Sequence, residues 1–167
     1  FSLTSPGAIF AGDLTGDIEK KLYKGKINGQ IKDLAALGKF LQQPMSGSGA
    51  VNVEFIPGKK GQDIKLEVKG TGISTPFLKT QSLLLAASLQ NIFATPAGSA
   101  NVQIKELERS ELKLKSFTFE ASGNESGMKF QGAAAGHAIS SFNFTTRGLA
   151  VLQSDSRSLR LENFEGK

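Results

Sequence analysis

The residues that could perform acid–base or metal chemistry are few and scattered. His137 is the single histidine, and it stands between Gly136 and Ala138 without a neighbouring acid or hydroxyl pair that would indicate an activated nucleophile. One histidine and no cysteine exclude multi-histidine and thiolate metal sites. The acidic residues occur singly, and most alternate with apolar ones, which is typical of the wet faces of strands. We therefore predict no catalytic residue, no metal site and no cofactor, and we expect that the protein is not an enzyme.

The basic residues are the next candidates, because the chain has 20 Lys and Arg against 15 Asp and Glu, a net charge of +5. Nucleic-acid binding needs a basic stripe with interleaved aromatic rings. Lys59, Lys60, Lys113 and Lys115 are basic, but the alternation places their aromatic neighbours on the opposite face of the strand. A solvated edge that resists aggregation explains these lysines better, and no nucleic-acid partner is predicted.

The apolar residues carry more information than the charged ones. The chain has 12 Phe, one Tyr and no Trp, together with 19 Gly. Rings without a polar group suit a dry environment. The longest apolar run, residues 83–87, is far shorter than the roughly 20 residues that span a bilayer. The phenylalanines therefore indicate a buried or ligand-covered surface rather than a membrane span.

The apolar residues alternate with polar ones at period two, which predicts half-buried antiparallel strands with one dry face. Residues 64–70 are the clearest example. The dry face is the candidate binding surface, and a hydrophobic groove is its predicted form. The predicted lining residues are Phe10, Leu14, Ile18, Val51, Val53, Phe55, Ile64, Leu66, Val68, Leu85, Val102, Ile104, Phe117, Phe119, Phe130, Phe142 and Phe144.

The elements that must position this face are strands joined by short turns. Residues 57–61 and 124–127 carry hairpin signals. Residues 33–41 have an N-cap aspartate and helical apolar spacing, which predicts a short helix, and residues 90–93 are a candidate second turn of helix. Residues 46–49 read as a loose connector. We predict an all-β fold: a single, strongly curled, mostly antiparallel sheet of about ten strands with one or two short helices.

In-phase glycines raise two alternatives. Gly70, Gly123 and Gly148 follow one template, in which two alternating apolar residues precede the glycine by four and six positions. Either these glycines let the sheet bend and curl, or they end strands at ordinary turns. The apolar face has alternatives as well, because a filled sandwich core would use the same residues as an open slot. One short helix cannot cover about ten strands, which favours the slot.

The chain resembles the TamB family of Gram-negative bacteria in several blocks. The run Asp33-Leu34-Ala35-Ala36-Leu37, followed by Pro44-Met45-Ser46-Gly47, looks like a recurrent family block in which a short helix precedes a turn and a strand. Residues 83–93 with 97–102 are similar to the next block, and residues 159–166 look like the family's strand pattern. The resemblance covers most of residues 10–166, and its motifs are degenerate and compositional.

The resemblance implies a taco-like β-groove with a greasy interior, and it makes residues 1–167 one segment of a longer repetitive array. The start at Phe1 rather than Met also favours a segment. The full-length protein would be anchored in the inner membrane, cross the periplasm and meet an Omp85-type outer-membrane partner.

The function we predict is the shielding of phospholipid acyl chains in transit between the two membranes. The alternative is an assembly scaffold that templates outer-membrane β-barrel or autotransporter strands by strand addition. A plain β-sandwich interaction module comes third. We also expect the isolated chain to associate through its sheet edges.

Overall fold

The fold was obtained as a computed structural model that describes residues 1–93, 97–124, 126–152 and 159–166. Side chains are described over the same ranges except at 152 and 159–164. The candidate turn of helix at 90–93 is not helical, because residue 90 ends a strand and residues 92 and 93 form a turn; residues 94–96 lie outside the described ranges.

The described chain contains one helix and an 11-stranded sheet whose strands lie side by side in sequence order. The helix is α1 (Leu34–Leu41), and it lies between the third and fourth strands. The strands are β1 (Ser2–Ser5), β2 (Ala8–Asp17), β3 (Leu22–Ile31), β4 (Ser46–Pro57), β5 (Gln62–Ser74), β6 (Lys79–Gln90), β7 (Ala97–Arg109), β8 (Leu112–Asn124), β9 (Gly127–His137), β10 (Ser141–Leu152) and β11 (Leu159–Gly166).

Every neighbouring pair of strands is antiparallel, so the sheet is a continuous meander. The predictions of an all-β class and of one antiparallel sheet are confirmed, with eleven strands where about ten were expected. The filled-sandwich alternative is wrong, because the described strands form one sheet and no second sheet packs on it.

Helix α1 begins as the sequence predicts. The Asp33 side chain accepts a hydrogen bond from the Ala35 N–H at 2.8 Å, which caps the first turn. Gln42 ends the helix in the left-handed conformation, with a φ of 53°. The helix packs on β4, and Gly38 is its one buried residue, while Phe40 and Leu41 are 85% and 58% exposed. The helix therefore lies at one end of the sheet and covers little of it.

The in-phase glycines do not mark the ends of strands at two of the three positions. Gly70 lies inside β5 and Gly148 lies inside β10, whereas Gly123 is the last residue but one of β8. The prediction that residues 46–49 form a connector is wrong, because they are the first residues of β4. Small residues pair there with Gly70 and Thr71 of β5.

A line of backbone irregularities crosses four consecutive strands. The pairing skips positions 72 and 81 between β5 and β6, 81 and 106 between β6 and β7, and 106 and 115 between β7 and β8. We call these four positions the bulge line. Gly72 and Glu106 have φ values of 59° and 50° there, in the left-handed region. The register does not change across these three pairs, but it shifts by one residue at each end of the line, where β5 meets β4 and where β8 meets β9. Bulges of that kind bend a strand and increase its local twist.

Candidate functional site

The register places nearly all the predicted lining residues on one side of the sheet, which we call the apolar face. A central row runs through Phe10, Gly29, Val51, Val68, Leu85, Val102, Phe119 and Gly132, each paired with the next. The other lining residues are an even number of positions away from this row along their own strands. They are Leu14, Val53, Phe55, Ile64, Leu66, Ile104, Phe117, Phe130, Phe142 and Phe144.

Ile18 is the one predicted lining residue that lies off the strands. It follows the last residue of β2, in the turn to β3, and its side chain is 81% exposed. The strand β2 ends at Asp17, so the prediction from alternation extended the apolar face one residue too far.

The apolar face is covered only by its own side chains. Leu14 and Phe144 are each 43% exposed, and the other lining residues on the strands are half-buried. Within the described residues, substantial packing between elements is confined to adjacent strands and to α1 against β4. Among described apolar side chains, Ala8 alone is classed as fully buried. The sheet is therefore a single layer with an uncovered apolar side.

Aromatic rings on this face lie against one another and against glycines. Phe119 and Phe130 stack with centroids 6.3 Å apart, and Tyr23 meets Phe55 edge-on at 6.5 Å. A Cβ built on Gly29 would lie 2.5 Å from the ring of Phe10 on the neighbouring strand. The ring thus occupies the space that a side chain at Gly29 would need, which resembles the covering of a strand glycine by a cross-strand aromatic ring.

The bulge line extends the apolar face in a way that strict alternation does not predict. Ile73 lies one residue beyond Gly72, and its Cδ1 would be 2.4 Å from a Cβ on Gly70, so both residues share the apolar side. Leu114 likewise lies beside the apolar-side position of Gly136, 3.2 Å from a Cβ built there. Leu107 pairs with Leu114 across β7 and β8. Sequence reasoning missed Ile73, Leu107 and Leu114 because an inserted residue in each strand shifts their parity.

Sequence reasoning also missed Gln62, which is fully buried at 0% exposure. Its side-chain oxygen accepts from the Tyr23 N–H at 2.5 Å, and its amide donates to the carbonyls of Ile56 and Asp63 at 3.1 and 2.7 Å. One amide thereby joins the start of β3 to the hairpin of β4 and β5. No local sequence motif predicts this role of Gln62, because all the hydrogen-bond partners of its side chain are backbone groups.

The opposite side of the sheet, which we call the polar face, carries several side-chain hydrogen bonds between strands. Glu120 accepts from Asn101 at 2.9 Å and from Gln131 at 2.6 Å, so three strands are joined in one row. Arg147 donates through two nitrogens to Glu165, at 2.9 and 2.6 Å. Ion pairing and hydrogen bonding with Lys69 lower the pKa of the exposed Glu67 carboxyl below its usual value. These side chains therefore form a solvated surface whose polar groups hydrogen-bond to one another.

Two depressions of about 580 and 520 Å³ also lie on the polar face, and they share Glu120 and Gln131. Small side chains, including Ser88, Ser99 and Ser122, line the larger one. The predicted groove has an apolar interior, whereas these depressions lie on the polar face, so they are not the predicted groove.

The residues considered for catalysis and nucleic-acid binding are dispersed. His137 is exposed, with its Nδ1 3.3 Å from the Ser141 Oγ, and within the described ranges no group of three or more potential metal ligands occurs. Lys59 and Lys60 sit in the turn between β4 and β5, while Lys113 and Lys115 lie near the other end of the sheet, in β8. These four lysines do not form one stripe.

In the part of the chain that the structure describes, no helix has the length and apolar character needed to cross a membrane. Comparisons with protein-family models, with curated proteins and with solved structures find no match to this chain.

Proposed function

We propose that this chain is a segment of a TamB-like periplasmic protein and that its apolar face shields phospholipid acyl chains during transport between the inner and outer membranes. The observation that carries the proposal is an uncovered apolar side on a single-layer sheet. A soluble protein does not normally leave so large an apolar surface in water unless something covers it.

The total exposed area of the chain is large for its mass, as expected for a single-layer sheet. The chain exposes 11,446 Å², whereas a compact monomer of 17.7 kDa exposes about 8,000 Å². The excess is about 3,500 Å². Acyl chains suit such a face because its lining is aliphatic and aromatic and each CH₂ removed from water contributes about 0.8 kcal/mol. The absence of polar anchors among the predicted lining residues would let a chain slide along it.

A strongly curled, taco-like state is part of this proposal. The bulge line supports it, because unpaired positions at the same point of four adjacent strands would let the sheet bend along one line. Curling about that line would turn the strip that holds Ile73, Leu107 and Leu114 toward the rest of the apolar face, and an acyl chain could lie between them. An inner-membrane anchor and an Omp85-type outer-membrane partner belong to the proposed full-length protein.

Site-specific photocrosslinking tests the proposal. A photoreactive residue replaces Phe119 or Phe144 on the apolar face, and the matched control replaces Thr118 on the polar face. The protein is made in the periplasm of a Gram-negative host, irradiated and analysed by lipid mass spectrometry. We expect phospholipid adducts at positions 119 and 144 and none at 118. Equal labelling at all three positions, or no labelling together with no co-purifying lipid, would show that the apolar face does not hold lipid.

A charge placed on the face provides a second test. Leu66→Arg should abolish lipid co-purification while the protein stays folded, because an arginine on an uncovered face keeps its head group in water. Thr118→Arg adds the same charge to the polar face and should leave lipid binding unchanged. Circular dichroism of both variants should match the parent. Unfolding of the Leu66→Arg variant would contradict the proposal, because an arginine on an uncovered face should not disrupt the sheet.

A second candidate function, strand addition, is favoured by the open edge of β2. β1 pairs with Ala8 to Ala11 only, and Phe1 and Gly12 add one reciprocal backbone pair at 2.7 and 3.0 Å. Because backbone groups alternate in direction along a strand, the N–H and C=O of Leu14 and Gly16 face the open side. This edge could accept an extended segment of an outer-membrane protein, or a second copy of this chain.

Proline substitutions distinguish this edge from the rest of β2. Leu14→Pro removes an outward N–H and is compatible with an edge position, whereas Asp13→Pro removes an N–H that faces β3. We expect Leu14→Pro to reduce self-association of the isolated chain, and its binding of a synthetic outer-membrane β-strand peptide, without loss of stability. Asp13→Pro should destabilise the sheet. If Leu14→Pro associates and binds peptide as the parent does, strand addition at this edge is wrong.

A further inference from the structure

We propose that a pocket at one end of the sheet binds a phosphoryl or similar oxyanion group. The pocket has a volume of about 440 Å³ and lies where the turn between β4 and β5 meets the ends of β6 and β8 and the start of β7. Lys59 and Lys60 come from the turn between β4 and β5, Gln90 and Asn124 are the last residues of β6 and β8, and Asn91 follows β6 directly. We call it the end pocket. Its volume falls within the range of small-molecule sites.

The charges of the end pocket favour an anion. Lys59 and Lys60 are exposed at the tip of the turn, and neither forms an ion pair within the described residues. Asp63 is the one acidic group among the lining residues, and its Oδ1 accepts the Asn91 N–H at 2.9 Å. That carboxylate is thus engaged in holding the residue after β6 beside the start of β5. Two flexible ammonium groups can surround a phosphoryl group as point charges.

The amides of the pocket add directional donors. The Asn124 Oδ1 accepts from the Ser126 N–H at 2.9 Å, which fixes the side chain and leaves its amide nitrogen as the donor end. The Asn91 side chain packs against Gly61, whose φ is 152°. The glycine allows the turn between β4 and β5 to approach Asn91 closely. The pocket therefore combines two exposed cationic side chains with the amide of Asn124 as a directional donor.

The place of the pocket links it to the apolar face. Ile64 pairs with Leu89 on that face, directly beside Asp63 and Gln90 of the pocket. A phospholipid whose phosphate occupies the end pocket could pass its acyl chains around this end onto Ile64 and Leu89. This lipid source rests on the proposed function, whereas binding of free inorganic phosphate does not.

Three probes and two double variants test the end pocket. The probes are monomeric dihexanoyl phosphatidylglycerol, dihexanoylglycerol with the same chains but no phosphate, and inorganic phosphate. The variant K59A/K60A removes the two pocket lysines. The control K113A/K115A removes the same charge from β8 near the opposite end of the sheet. Binding is followed by calorimetry for the two lipids and by amide chemical shifts for phosphate.

We expect the parent and K113A/K115A to bind the phospholipid about tenfold more tightly than the diacylglycerol, a gap that 0.5 M salt should close. K59A/K60A should bind both lipids alike. Equal binding of the two lipids by the parent, or equal losses in both double variants, would overturn the pocket while leaving the apolar face intact as a lipid site. If neither lipid binds, the proposed function fails, and the phosphate titration decides the pocket separately.

Amide chemical-shift changes on adding phosphate that are confined to residues 59–61, 90–91 and 124, and that are lost in K59A/K60A, would support a free-anion site. The absence of such changes would exclude a free-anion site.

Discussion

At the scale of single residues, the excess of phenylalanine and glycine has a common explanation. The two residue types meet across strands: the ring of Phe10 lies over Gly29, and the ring of Phe144 lies beside Gly166. A ring that lies over a glycine shields more of its own area than a ring that stands upright in water. This arrangement half-buries large apolar side chains without a second layer, which a single sheet needs in order to persist alone.

The pair of Phe10 and Gly29 gives a direct prediction. Gly29→Ala places a Cβ 2.5 Å from the Phe10 ring, so the ring must move, and we expect a loss of about 1–2 kcal/mol in the free energy of unfolding. Gly132→Ala is the matched control, because it lies in the same row and its nearest contacts are 3.4 Å or longer. It should be neutral or slightly stabilising. Urea denaturation measures both, and in a Phe10→Ala background the cost of Gly29→Ala should disappear. A cost that persists there would place its origin in the backbone.

Gln62 gives the second prediction at this scale. Gln62→Leu leaves the Tyr23 N–H and two carbonyls without their side-chain partner in a buried place, so we expect a loss of about 2–3 kcal/mol in the free energy of unfolding. The control Gln103→Leu removes one exposed contact, with Asn101, and should change stability by less than about 0.5 kcal/mol. Similar effects of the two substitutions would show that the clamp does not hold β3 to the hairpin.

At the scale of elements, period two was sufficient to predict the strands and their faces but not their irregularities. Alternation predicts which residues of a strand share a side, and the register confirms this from Phe10 to Phe144. It cannot predict the bulge line, because an inserted residue is stabilised by matching insertions in neighbouring strands that are distant in sequence. Gln62 escaped prediction for a similar reason, since two of its three side-chain partners are backbone groups of other strands.

Glu106 offers a test of the bulge line. A φ of 50° is about 1 kcal/mol less favourable for a residue with a side chain, whereas glycine adopts it without strain. Glu106→Gly should therefore leave the free energy of unfolding unchanged or raise it by about 0.5 kcal/mol. Gln103→Gly, in a regular part of the same strand, should lower it by about 0.5–1 kcal/mol. Thermal denaturation of both variants measures the difference, and equal destabilisation would mean that residue 106 is extended in solution.

At the scale of the whole molecule, a single layer must balance solubility against an uncovered apolar side. The polar face contributes to solubility through charged and amide side chains that satisfy one another, as in the row of Asn101, Glu120 and Gln131. The apolar side leaves the chain with more exposed area than its mass warrants. A ligand that covers this side would therefore stabilise the protein in proportion to the area it buries.

The proposed curling makes a prediction about size. Eleven strands spaced about 4.8 Å apart and up to 13 residues long form a slab of roughly 48 by 43 Å, with a radius of gyration of about 19 Å. A compact domain of this length would have about 15 Å. Small-angle scattering of the dilute lipid-free chain should give a radius of gyration near 19 Å, and curling around bound lipid should lower the radius of the protein itself.

Contrast-matched neutron scattering measures the radius of the protein without the contribution of the lipid. The Thr118→Arg variant is the control that binds lipid, and the Leu66→Arg variant is the control that does not. A protein radius that stays constant on loading would mean that lipid lies on an open sheet, and would remove the taco-like state from the proposal while keeping the apolar face as its site.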